Sequence, residues 1–282
     1  MSRRVIVTGG ASGLGAALVE RFAARGDRVL VTDLAEKYSG PQGSTYRRLD
    51  VVDADDWADA RDHVMATWGG VDIVVNNAGI AAGGRIDVVT LEEWRRIIDI
   101  NLLGVVRGCQ TFVPVLKEQA HRDAAQKGSP AGQIVNIASM AGLVHPPAMA
   151  SYNVVKAGVV ALSETLSFEL EPWGITTSVV CPSFFRTNLS SSLAGSDGML
   201  DQIAARLIDR SDTGADEVAD AVIAGVDARR PVILTDRAGR KAFFAKRFAR
   251  PLYTRQMLGM SRRIHGATAS APAAADHGEN KQ

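Results

Sequence analysis

Short apolar runs rich in Val and Ile recur along the chain, and longer stretches with helical spacing separate them. A strand that is apolar on both faces belongs in a sheet that helices cover on both sides. The alternation therefore predicts a single α/β domain with a doubly wound parallel sheet and helices on both faces. The expected strands are Val5 to Thr8, Arg28 to Thr32, Val71 to Val75, Ile134 to Ala138, Thr176 to Cys181 and Pro231 to Thr235, with a weaker one at Tyr46 to Leu49.

Helical spacing marks four stretches between these strands, at Leu14 to Arg25, Ala54 to Trp68, Leu91 to Leu116 and Ser151 to Glu171. Gly26 is placed to end the first helix, because glycine readily adopts the left-handed conformation common after a helix C terminus. The polar segment from Glu118 to Gly132 predicts an exposed connection. A length of 282 residues is compatible with one domain of this kind.

Charge and composition limit the kinds of partner and cofactor that we expect for this chain. With a formal net charge of +1, the chain has no excess of basic residues that would favour nucleic acid. Cys109 and Cys181 lack metal-ligand spacing and are expected to be reduced core thiols, and no His, Asp or Glu group predicts a metal site. Because a strand begins near the N terminus and no apolar run reaches about 20 residues, we expect neither a signal peptide nor a membrane span, and a cytoplasmic location.

A glycine-rich turn joins the first strand to the first helix, in Thr8-Gly9-Gly10-Ala11-Ser12-Gly13-Leu14-Gly15. Backbone N–H groups at a helix N terminus attract anions, and glycines let a pyrophosphate approach the backbone. The turn is therefore a candidate dinucleotide-binding loop, although an ordinary tight turn can have a similar sequence.

Asp33 follows the second strand, at the distance where an acidic residue binds the adenosine ribose hydroxyls of a dinucleotide. A carboxylate there would repel the 2′-phosphate of NADP, and neither Ser12 nor Leu34 supplies a cation to offset the repulsion. The sequence therefore favours NAD as the cofactor. The alternative is a solvated aspartate in a turn.

Further motifs follow in order: Asn76-Asn77-Ala78-Gly79 after a strand, Asn101 in a helix, Ser139 after another strand, and Tyr152-Asn153-Val154-Val155-Lys156. Together with the glycine turn, they closely resemble the short-chain dehydrogenase/reductase family over roughly the first 240 residues. The resemblance implies a Rossmann-like fold and hydride transfer with a nicotinamide cofactor. It also implies a homodimer or homotetramer, paired through the helices that begin near Leu91 and Ser151.

The family's site residues can be carried over to the matching positions. Asn101, Ser139, Tyr152 and Lys156 match the catalytic residues. The cofactor would be held by Gly9, Ser12, Gly13, Leu14 and Gly15 at its pyrophosphate, Asp33 at its ribose, Asp50 and Val51 at its adenine, Asn77, Ala78 and Gly79 along its centre, and Tyr152, Lys156, Pro182 and Thr187 near its nicotinamide. Ser183 stands where the family often has glycine, which puts the shape of that loop in question.

The expected chemistry is proton transfer by Tyr152. Oxidation of an alcohol requires a base, and a tyrosine with a pKa near 10 is a poor one. Lys156 and a positive nicotinamide ring are expected to lower the pKa of this tyrosine. Ser139 would hydrogen-bond the substrate oxygen, and Asn101 would hold a water that links Lys156 to solvent. A Tyr/Lys pair alone, however, is usually a solvated helix face.

The remaining predictions concern the substrate and the C terminus. Met140, His145 and Phe184, beside Ser139 and Tyr152, are candidate substrate contacts, although a loop histidine is usually a surface residue. Met140 and Phe184 suggest an apolar substrate, although apolar residues near a sheet edge are more often core. We expect a catalytic domain at 1–236 that includes a substrate lid at 188–213, a basic helical extension at 237–266, and a disordered tail at 267–282. The extension could lie on an anionic membrane, but packing against the body or a second subunit is the favoured interpretation.

These features predict an NAD(H)-dependent oxidoreductase that interconverts a secondary alcohol and a ketone, with a small-molecule substrate and no metal. Two alternatives stay open. One is an NADPH-dependent carbonyl reductase with the same fold, and the other is a non-catalytic NAD(H)-binding regulatory protein.

Overall fold

The computed structural model describes residues 2–123, 132–187, 193 and 195–269. Its strands are β1 (Arg4–Thr8), β2 (Arg28–Asp33), β3 (Ser44–Arg48), β4 (Ile73–Asn76), β5 (Gln133–Ile137), β6 (Thr176–Cys181) and β7 (Val232–Leu234). They form one sheet in the order β3-β2-β1-β4-β5-β6-β7, in which every neighbouring pair is parallel. The order reverses between β1 and β4, where ligands bind in open sheets of this type.

The helices connect these strands across both faces of the sheet. They are α1 (Gly13–Ala24), α2 (Ala54–Trp68), α3 (Leu91–Ile98), α4 (Gly104–Asp123), α5 (Ala141–Val144), α6 (Ala150–Glu169), α7 (Gly198–Asp209), α8 (Ala215–Asp227), α9 (Arg237–Phe248) and α10 (Arg250–Ala269). A π-helical turn (Asp99–Leu103) joins α3 to α4, and a 3₁₀ turn (Glu171–Trp173) follows α6.

Apolar side chains fill both faces of the sheet. Trp57 of α2 packs edge-to-face on Phe112 of α4, with ring centroids 6.3 Å apart, in the same core as Ile6 of β1. On the other face, Phe22 of α1 shares a core with Val5 of β1 and residues of α8. Successive residues of β1 thus point into opposite cores, as the two-sided apolar pattern predicts. The predicted doubly wound α/β class is confirmed.

Some element boundaries differ from the predictions. The helix expected from Leu91 to Leu116 is interrupted by the π-helical turn, and α4 continues to Asp123, into the segment predicted as an exposed connection. The part of that connection at 124–131 lies outside the described residues. Helix α8 was not predicted, although Val218, Val222 and Val226 recur at helical spacing and are buried against the sheet.

The described residues include only part of the predicted lid and of the predicted C-terminal segments. Residues 188–192 and 194 of the lid lie outside the described residues, and α7 forms most of the remainder. Helices α9 and α10 occupy the basic extension. Helix α10 runs three residues into the predicted tail, and 270–282 lie outside the described residues. None of the described helices combines the length and the apolar character needed to span a membrane.

Candidate active site

The turn between β1 and α1 fits only small residues. Gly9 has φ of +63°, and a Cβ on it would lie 2.8 Å from the Cα of Ala78. A Cβ on Gly15 would overlap the carbonyl oxygen of Gly9. The two glycines therefore allow the turn to close tightly against the loop after β4.

The N terminus of α1 is open to an anion. Ser12 occupies the N-cap position, but its side chain makes no capping hydrogen bond, and the first turn contains no acidic residue. The N–H groups of Gly13, Leu14 and Gly15 have no intrahelical partner there. The side chain of Leu14 is buried in the core, so only its backbone could contact a ligand. The positive helix end and the glycine turn together fit a pyrophosphate.

The carboxylate of Asp33 is held at the end of β2. Its Oδ2 accepts a hydrogen bond from the Ala11 N–H at 2.9 Å, and its Oδ1 accepts one from the Leu34 N–H at 2.7 Å. Arg48 lies opposite Asp33 in the β2–β3 register, but its guanidinium donates to Asp56 at 3.3 Å. Asp33 thus places a carboxylate directly beside the glycine turn.

Hydrogen bonds join the ends of β1 and β4. The Thr8 hydroxyl accepts from the N–H groups of Asn77 and Ala78, each at 3.0 Å. The Asn77 side-chain amide donates to the carbonyls of Thr8 at 2.8 Å and Gly9 at 3.1 Å. The side chain of Asn77 therefore positions the glycine turn. Thr8 was not among the predicted site residues, although it begins the glycine motif.

Asp50 and Val51 lie just after β3, beyond Asp33 along the same edge of the sheet. Asp50 Oδ1 accepts from the Val52 N–H at 3.1 Å. Val51 packs against the start of α4, where a Cβ on Gly104 would lie 3.0 Å from Val51 Cγ2. Both residues are half-buried, so they can border a flat group that extends past Asp33.

Ser139, Tyr152 and Lys156 come together between β5 and α6. The hydroxyls of Ser139 and Tyr152 are hydrogen-bonded to each other. Ser139 Oγ also accepts from the Ala141 N–H at 3.1 Å. Lys156 Nζ lies 5.7 Å from the centroid of the Tyr152 ring and donates to the Ile137 carbonyl at 3.0 Å. Tyr152 is 9% exposed and Lys156 is 4% exposed, so the pair is not a solvated helix face.

Burial controls the pKa values of these two groups. Burial raises the pKa of Tyr152 to about 12, and the hydrogen bond with Ser139 offsets only part of this shift. Burial lowers the pKa of Lys156 to about 8, with the nearby Cys181 acting in the opposite direction. In the protein without a cofactor, lost hydration therefore dominates the pKa of Tyr152, and the predicted fall, which included the charge of a bound nicotinamide ring, stays a prediction. A lowered pKa would require the charge of a bound ligand.

Asn101 lies fully buried in the π-helical turn between α3 and α4. Its Oδ1 accepts from the Ile80 N–H and its Nδ2 donates to the Ile80 carbonyl, both at 2.8 Å. A Cβ on Gly79 would lie 3.1 Å from Asn101 Oδ1 and 3.7 Å from Lys156 Nζ. The side chain of Asn101 therefore shapes the loop beside Lys156, and the predicted water relay through Asn101 stays a prediction.

The loop after β6 closes the site against the glycine turn. The Pro182 carbonyl accepts from the Met140 N–H at 2.8 Å. Ser183 has no positive φ, so its replacement of the family's glycine introduces no backbone strain. Thr187 Oγ1 lies 2.6 Å from the place where a Cβ on Gly13 would be, which brings Thr187 to the predicted pyrophosphate site. Phe184, a candidate substrate contact, is 41% exposed in this loop.

The other two candidate substrate contacts are engaged by the C-terminal helices. Met140 is buried, with its sulfur 3.1 Å from the place where a Cβ on Gly239 of α9 would be. Lys246 Nζ lies 2.7 Å from Nδ1 of His145, and burial lowers the pKa of this histidine. The structure thus places both side chains against the extension, while their backbones border the site.

Two lid contacts are additional to the predicted site. Asp197, just before α7, binds Arg85 in the loop after β4, with Oδ2 2.8 Å from Nε. Glu93 of α3 accepts from the Ser196 N–H and hydroxyl, each at 2.6 Å. The Ser196 hydroxyl is the largest cause that lowers the pKa of Glu93 to about 2. Both contacts join segments more than a hundred residues apart, so no local spacing indicates them.

No cluster of three His, Cys, Asp or Glu side chains suited to a metal ion occurs among the residues that the structure describes. Cys109 and Cys181 are free and buried, and burial raises the pKa of each thiol to about 12. The side chains at this site that can transfer or stabilise a proton are those of the Ser139, Tyr152 and Lys156 cluster.

Comparisons with known proteins point to one family. A family model described as short chain dehydrogenase matches residues 3–197. The chain is 33% identical over 243 residues to 2-(R)-hydroxypropyl-CoM dehydrogenase of Xanthobacter autotrophicus. This match covers 81% of this chain and 93% of that protein. The chain is also 32% identical over 191 residues to 3-alpha-(or 20-beta)-hydroxysteroid dehydrogenase of Mycobacterium tuberculosis. That match covers 66% of this chain and 70% of that protein.

A solved structure shares the fold along most of its length. The crystal structure of a short-chain dehydrogenase/reductase from Burkholderia phymatum in complex with NAD superposes with a TM-score of 0.79 at 26% identity, over 89% of this chain and 95% of that one. The family model covers well over half of this chain. The protein therefore belongs to the short-chain dehydrogenase/reductase family and is an oxidoreductase of that family.

Proposed function

We propose that this protein is an NAD(H)-dependent oxidoreductase that interconverts a secondary alcohol and a ketone. The observation that carries the proposal is the buried, hydrogen-bonded hydroxyl pair of Ser139 and Tyr152, with the ammonium of Lys156 one turn further along α6. Buried titratable groups that perturb one another are typical of proton-transfer sites. The cluster lies at the carboxyl ends of the central strands, where ligands bind in sheets of this kind.

Tyr152 is the acid/base in this proposal. With a pKa of about 12 in the free protein, it is protonated at neutral pH and can donate its proton to a ketone oxygen. Ser139 hydrogen-bonds the same oxygen and stabilises the charge that develops on it. Lys156 stabilises the tyrosinate that remains, because its ammonium lies against the Tyr152 ring.

The dinucleotide would lie along the carboxyl ends of β1 to β6 and supply or accept the hydride when bound. The first turn of α1 binds its pyrophosphate, Asp33 its adenosine ribose, and Lys156 its nicotinamide ribose. The residues proposed to contact it are Gly9, Ser12, Gly13, Leu14, Gly15, Asp33, Asp50, Val51, Asn77, Ala78, Gly79, Tyr152, Lys156, Pro182 and Thr187. The open helix N terminus and the glycines support this arrangement.

Asp33 supports NAD over NADP. Its carboxylate accepts two backbone N–H bonds beside the glycine turn, which supports a position close to the adenosine ribose of a bound dinucleotide. Arg48, the cation opposite it in the strand register, is hydrogen-bonded to Asp56 instead. Repulsion between Asp33 and a phosphate would therefore favour NAD.

An apolar substrate is supported by the surroundings of Tyr152. Its ring shares a small apolar cluster with Ile97, Ala141 and Val155, and Met149 packs against this cluster. Apolar walls with a few polar groups are typical of small-molecule sites. The printed names of two relatives, a hydroxypropyl-CoM dehydrogenase and a hydroxysteroid dehydrogenase, both describe hydroxyl-bearing substrates.

The proposal is tested by following the absorbance of NADH while the purified protein is given NAD⁺ and a panel of secondary alcohols, with NADP⁺ in parallel. The panel includes steroid, retinoid, acyl and sugar alcohols. We expect turnover with NAD⁺ that falls by roughly 10²- to 10⁴-fold in Tyr152→Phe, because only the transferable proton is removed. Calorimetry should show unchanged NADH binding by the variant. Full activity of Tyr152→Phe would contradict the assigned role.

Two alternatives have distinct outcomes in the same assay. A preference for NADPH and a carbonyl substrate would indicate a carbonyl reductase. Tight NADH binding without turnover across the panel would indicate a regulatory protein that retains the fold. Burial of Tyr152 and Lys156 favours a catalytic role over a solvated surface pair. It also favours a catalytic role over a vestigial site, because burying a lysine costs folding free energy that a site without function would not need.

We also propose a homodimer or homotetramer formed through α4 and α6. Leu103, Val154 and Phe168 lie at or near the surfaces of these helices and are 39%, 53% and 79% exposed. A second copy that covers them would remove this apolar area from water. Light scattering is expected to give two or four times the 30.0 kDa mass of one chain. A monomer at micromolar concentration would contradict the proposal.

A further inference from the structure

The two C-terminal helices concentrate positive charge. Nine of the 32 Lys and Arg residues lie between residues 237 and 269, and none of the 31 Asp and Glu residues does. The remainder of the chain is therefore net negative, although the whole chain has a formal charge of +1. A block of one charge sign on an otherwise acidic protein is typical of a surface that binds an anionic partner.

One face of α9 fixes these helices to the body. Gly239 is buried against Met140, and Phe243 packs against the main core. Lys246 Nζ donates to the Leu143 carbonyl at 2.5 Å. In α10, Tyr253 is 7% exposed and its hydroxyl donates to the Val144 carbonyl. The extension is thus a folded part of the protein, and the face of α9 opposite these contacts is directed away from the body.

The outer face of α9 combines cations with aromatic rings. At about 100° per residue, six exposed residues fall within an arc of roughly 120°. They are Arg237, Arg240, Lys241, Phe244, Arg247 and Phe248. Phe244 is 54% exposed and Phe248 is 74% exposed, and their rings stack with centroids 6.1 Å apart. The guanidinium of Arg247 lies 5.8 Å from the Phe248 ring.

Helix α10 extends this basic and apolar surface. Leu252 is 64% exposed and Leu258 is 53% exposed. A groove along α10 is lined by Arg250, Pro251, Thr254, Arg255, Leu258 and Arg262. Exposed large apolar side chains recur among the cations in both helices, so a bound partner must offer negative charge and an apolar interior together.

We propose that α9 and α10 form a docking surface for an anionic phospholipid bilayer. Phe244 and Phe248 insert below the headgroups, and the surrounding Lys and Arg side chains bind lipid phosphates. A free phosphate would use the cations and leave the phenylalanines in water. A second copy paired symmetrically through this surface would bring two blocks of positive charge together. A bilayer with acidic headgroups satisfies both the charge and the apolar groups.

Docking in this orientation would hold the candidate active site near the lipid. Helix α9 packs on Met140 and on Ser183, where a Cβ on Gly239 would lie 2.7 Å from Ser183 Oγ. Those two residues directly follow Ser139 and Pro182 in the loops that border Tyr152. The binding itself does not depend on the proposed reaction, so each can be tested separately.

The test is co-sedimentation of the full chain with phosphatidylcholine vesicles and with vesicles that also contain phosphatidylglycerol. We expect binding to the phosphatidylglycerol vesicles only, weakened by added salt. The double variant Phe244→Ala/Phe248→Ala should lose at least tenfold in partitioning, because the inserted rings are removed. Both side chains are exposed, so this variant is expected to fold, which circular dichroism checks.

Charge reversal provides the matched control. Lys241→Glu/Arg247→Glu should abolish vesicle binding, whereas Arg61→Glu/Arg122→Glu, which changes the net charge equally at positions of α2 and α4 outside this surface, should bind as the wild type does. Equal binding to both vesicle types, no binding by the wild type, or wild-type binding by the phenylalanine variant would overturn the proposal. A changed oligomeric mass of the phenylalanine variant without vesicle binding by the wild type would also overturn it, in favour of an interface between copies.

Discussion

Asp197 and Arg85 form a salt bridge that joins the N terminus of α7 to the loop after β4. Asp197 Oδ2 lies 2.8 Å from Arg85 Nε and its Oδ1 lies 3.3 Å from Nη2. Asp197 also accepts from the Arg85 backbone N–H at 3.2 Å. Burial opposes ionisation of this carboxyl, but the bonds from Arg85 outweigh it and keep the pKa of Asp197 below its usual value. The salt bridge holds the segment that we propose as the substrate lid.

Asp197→Asn is therefore expected to loosen the lid. The substrate KM should rise roughly tenfold, equivalent to about 1.4 kcal/mol, while kcat changes little, because the variant affects closure and not proton transfer. Steady-state kinetics with the substrate found by the panel measure both constants. Asp62→Asn is the control, because Asp62 forms an exposed ion pair with Arg61 in α2, outside the lid. An unchanged KM for Asp197→Asn would mean that this contact does not govern closure.

The direction of the pH effect on the lid follows from the lowered pKa values of Asp197 and Glu93. A carboxyl group with a depressed pKa contributes its stabilisation above the pKa of the unfolded group and loses it as pH falls through the folded value. Glu93, with a pKa of about 2, keeps its bonds to Ser196 well below neutral pH. We expect KM to be constant from neutral pH down to the ordinary carboxyl range, and to rise only below it. A rise near neutral pH would point to a different titrating group.

Cofactor choice is tested by Asp33→Asn. This substitution keeps a side-chain oxygen that can accept the Ala11 N–H, which lies 2.9 Å from Asp33 Oδ2, and removes the negative charge. The ratio of kcat/KM for NADP⁺ to that for NAD⁺ should rise about tenfold or more, because repulsion of the 2′-phosphate is lost. Asp62→Asn in α2 removes an exposed carboxylate as a control. A ratio that stays at the wild-type value in Asp33→Asn would contradict the assigned position of the ribose.

Lys156 gives the free protein a distinctive dependence of stability on pH. Its pKa is lowered from 10.5 to about 8 by burial, so the unfolded chain binds more protons between these two values and stability rises with pH there. Lys156→Met should be more stable than the wild type at neutral pH, and the difference should shrink above pH 8 by up to about 3 kcal/mol. Urea unfolding at a series of pH values measures this. The exposed Lys241→Met should show no such trend.

Local motifs explain why much of the fold and site could be predicted. The glycine turn is dictated by neighbouring residues, and Tyr152 and Lys156 are one helical turn apart, so their positions follow from spacing alone. Burial of that pair is a tertiary property, and for this reason spacing alone does not indicate that the pKa of Tyr152 is raised in the protein without a cofactor. The fall expected with a bound nicotinamide cofactor stays a prediction. The contacts of Arg85 with Asp197 and of Lys246 with His145 connect segments about a hundred residues apart and leave no periodic pattern in the sequence.

Gly13 and Gly26 have similar backbone conformations, so comparing alanine variants of the two distinguishes the effect of backbone strain from a direct effect on cofactor binding. Gly13 has φ of +54° and Gly26 has φ of +78°, so alanine at either position carries a comparable conformational cost of about 1 kcal/mol. A Cβ on Gly26 meets nothing within 4 Å, whereas a Cβ on Gly13 would lie 2.6 Å from Thr187 Oγ1. Only Gly13→Ala therefore disturbs the contact between the glycine turn and the loop after β6.

Both variants are expected to lose stability in thermal unfolding, Gly13→Ala at least as much as Gly26→Ala, but their NADH affinities should differ. Calorimetry should show at least a tenfold weaker Kd for Gly13→Ala and a wild-type Kd for Gly26→Ala, since the added methyl group in Gly13→Ala displaces Thr187 and crowds the first turn of α1. Equal NADH affinity in the two variants would contradict the placement of the pyrophosphate at this turn. Weakened binding in both would mean that backbone strain alone, transmitted through α1, controls the cofactor site.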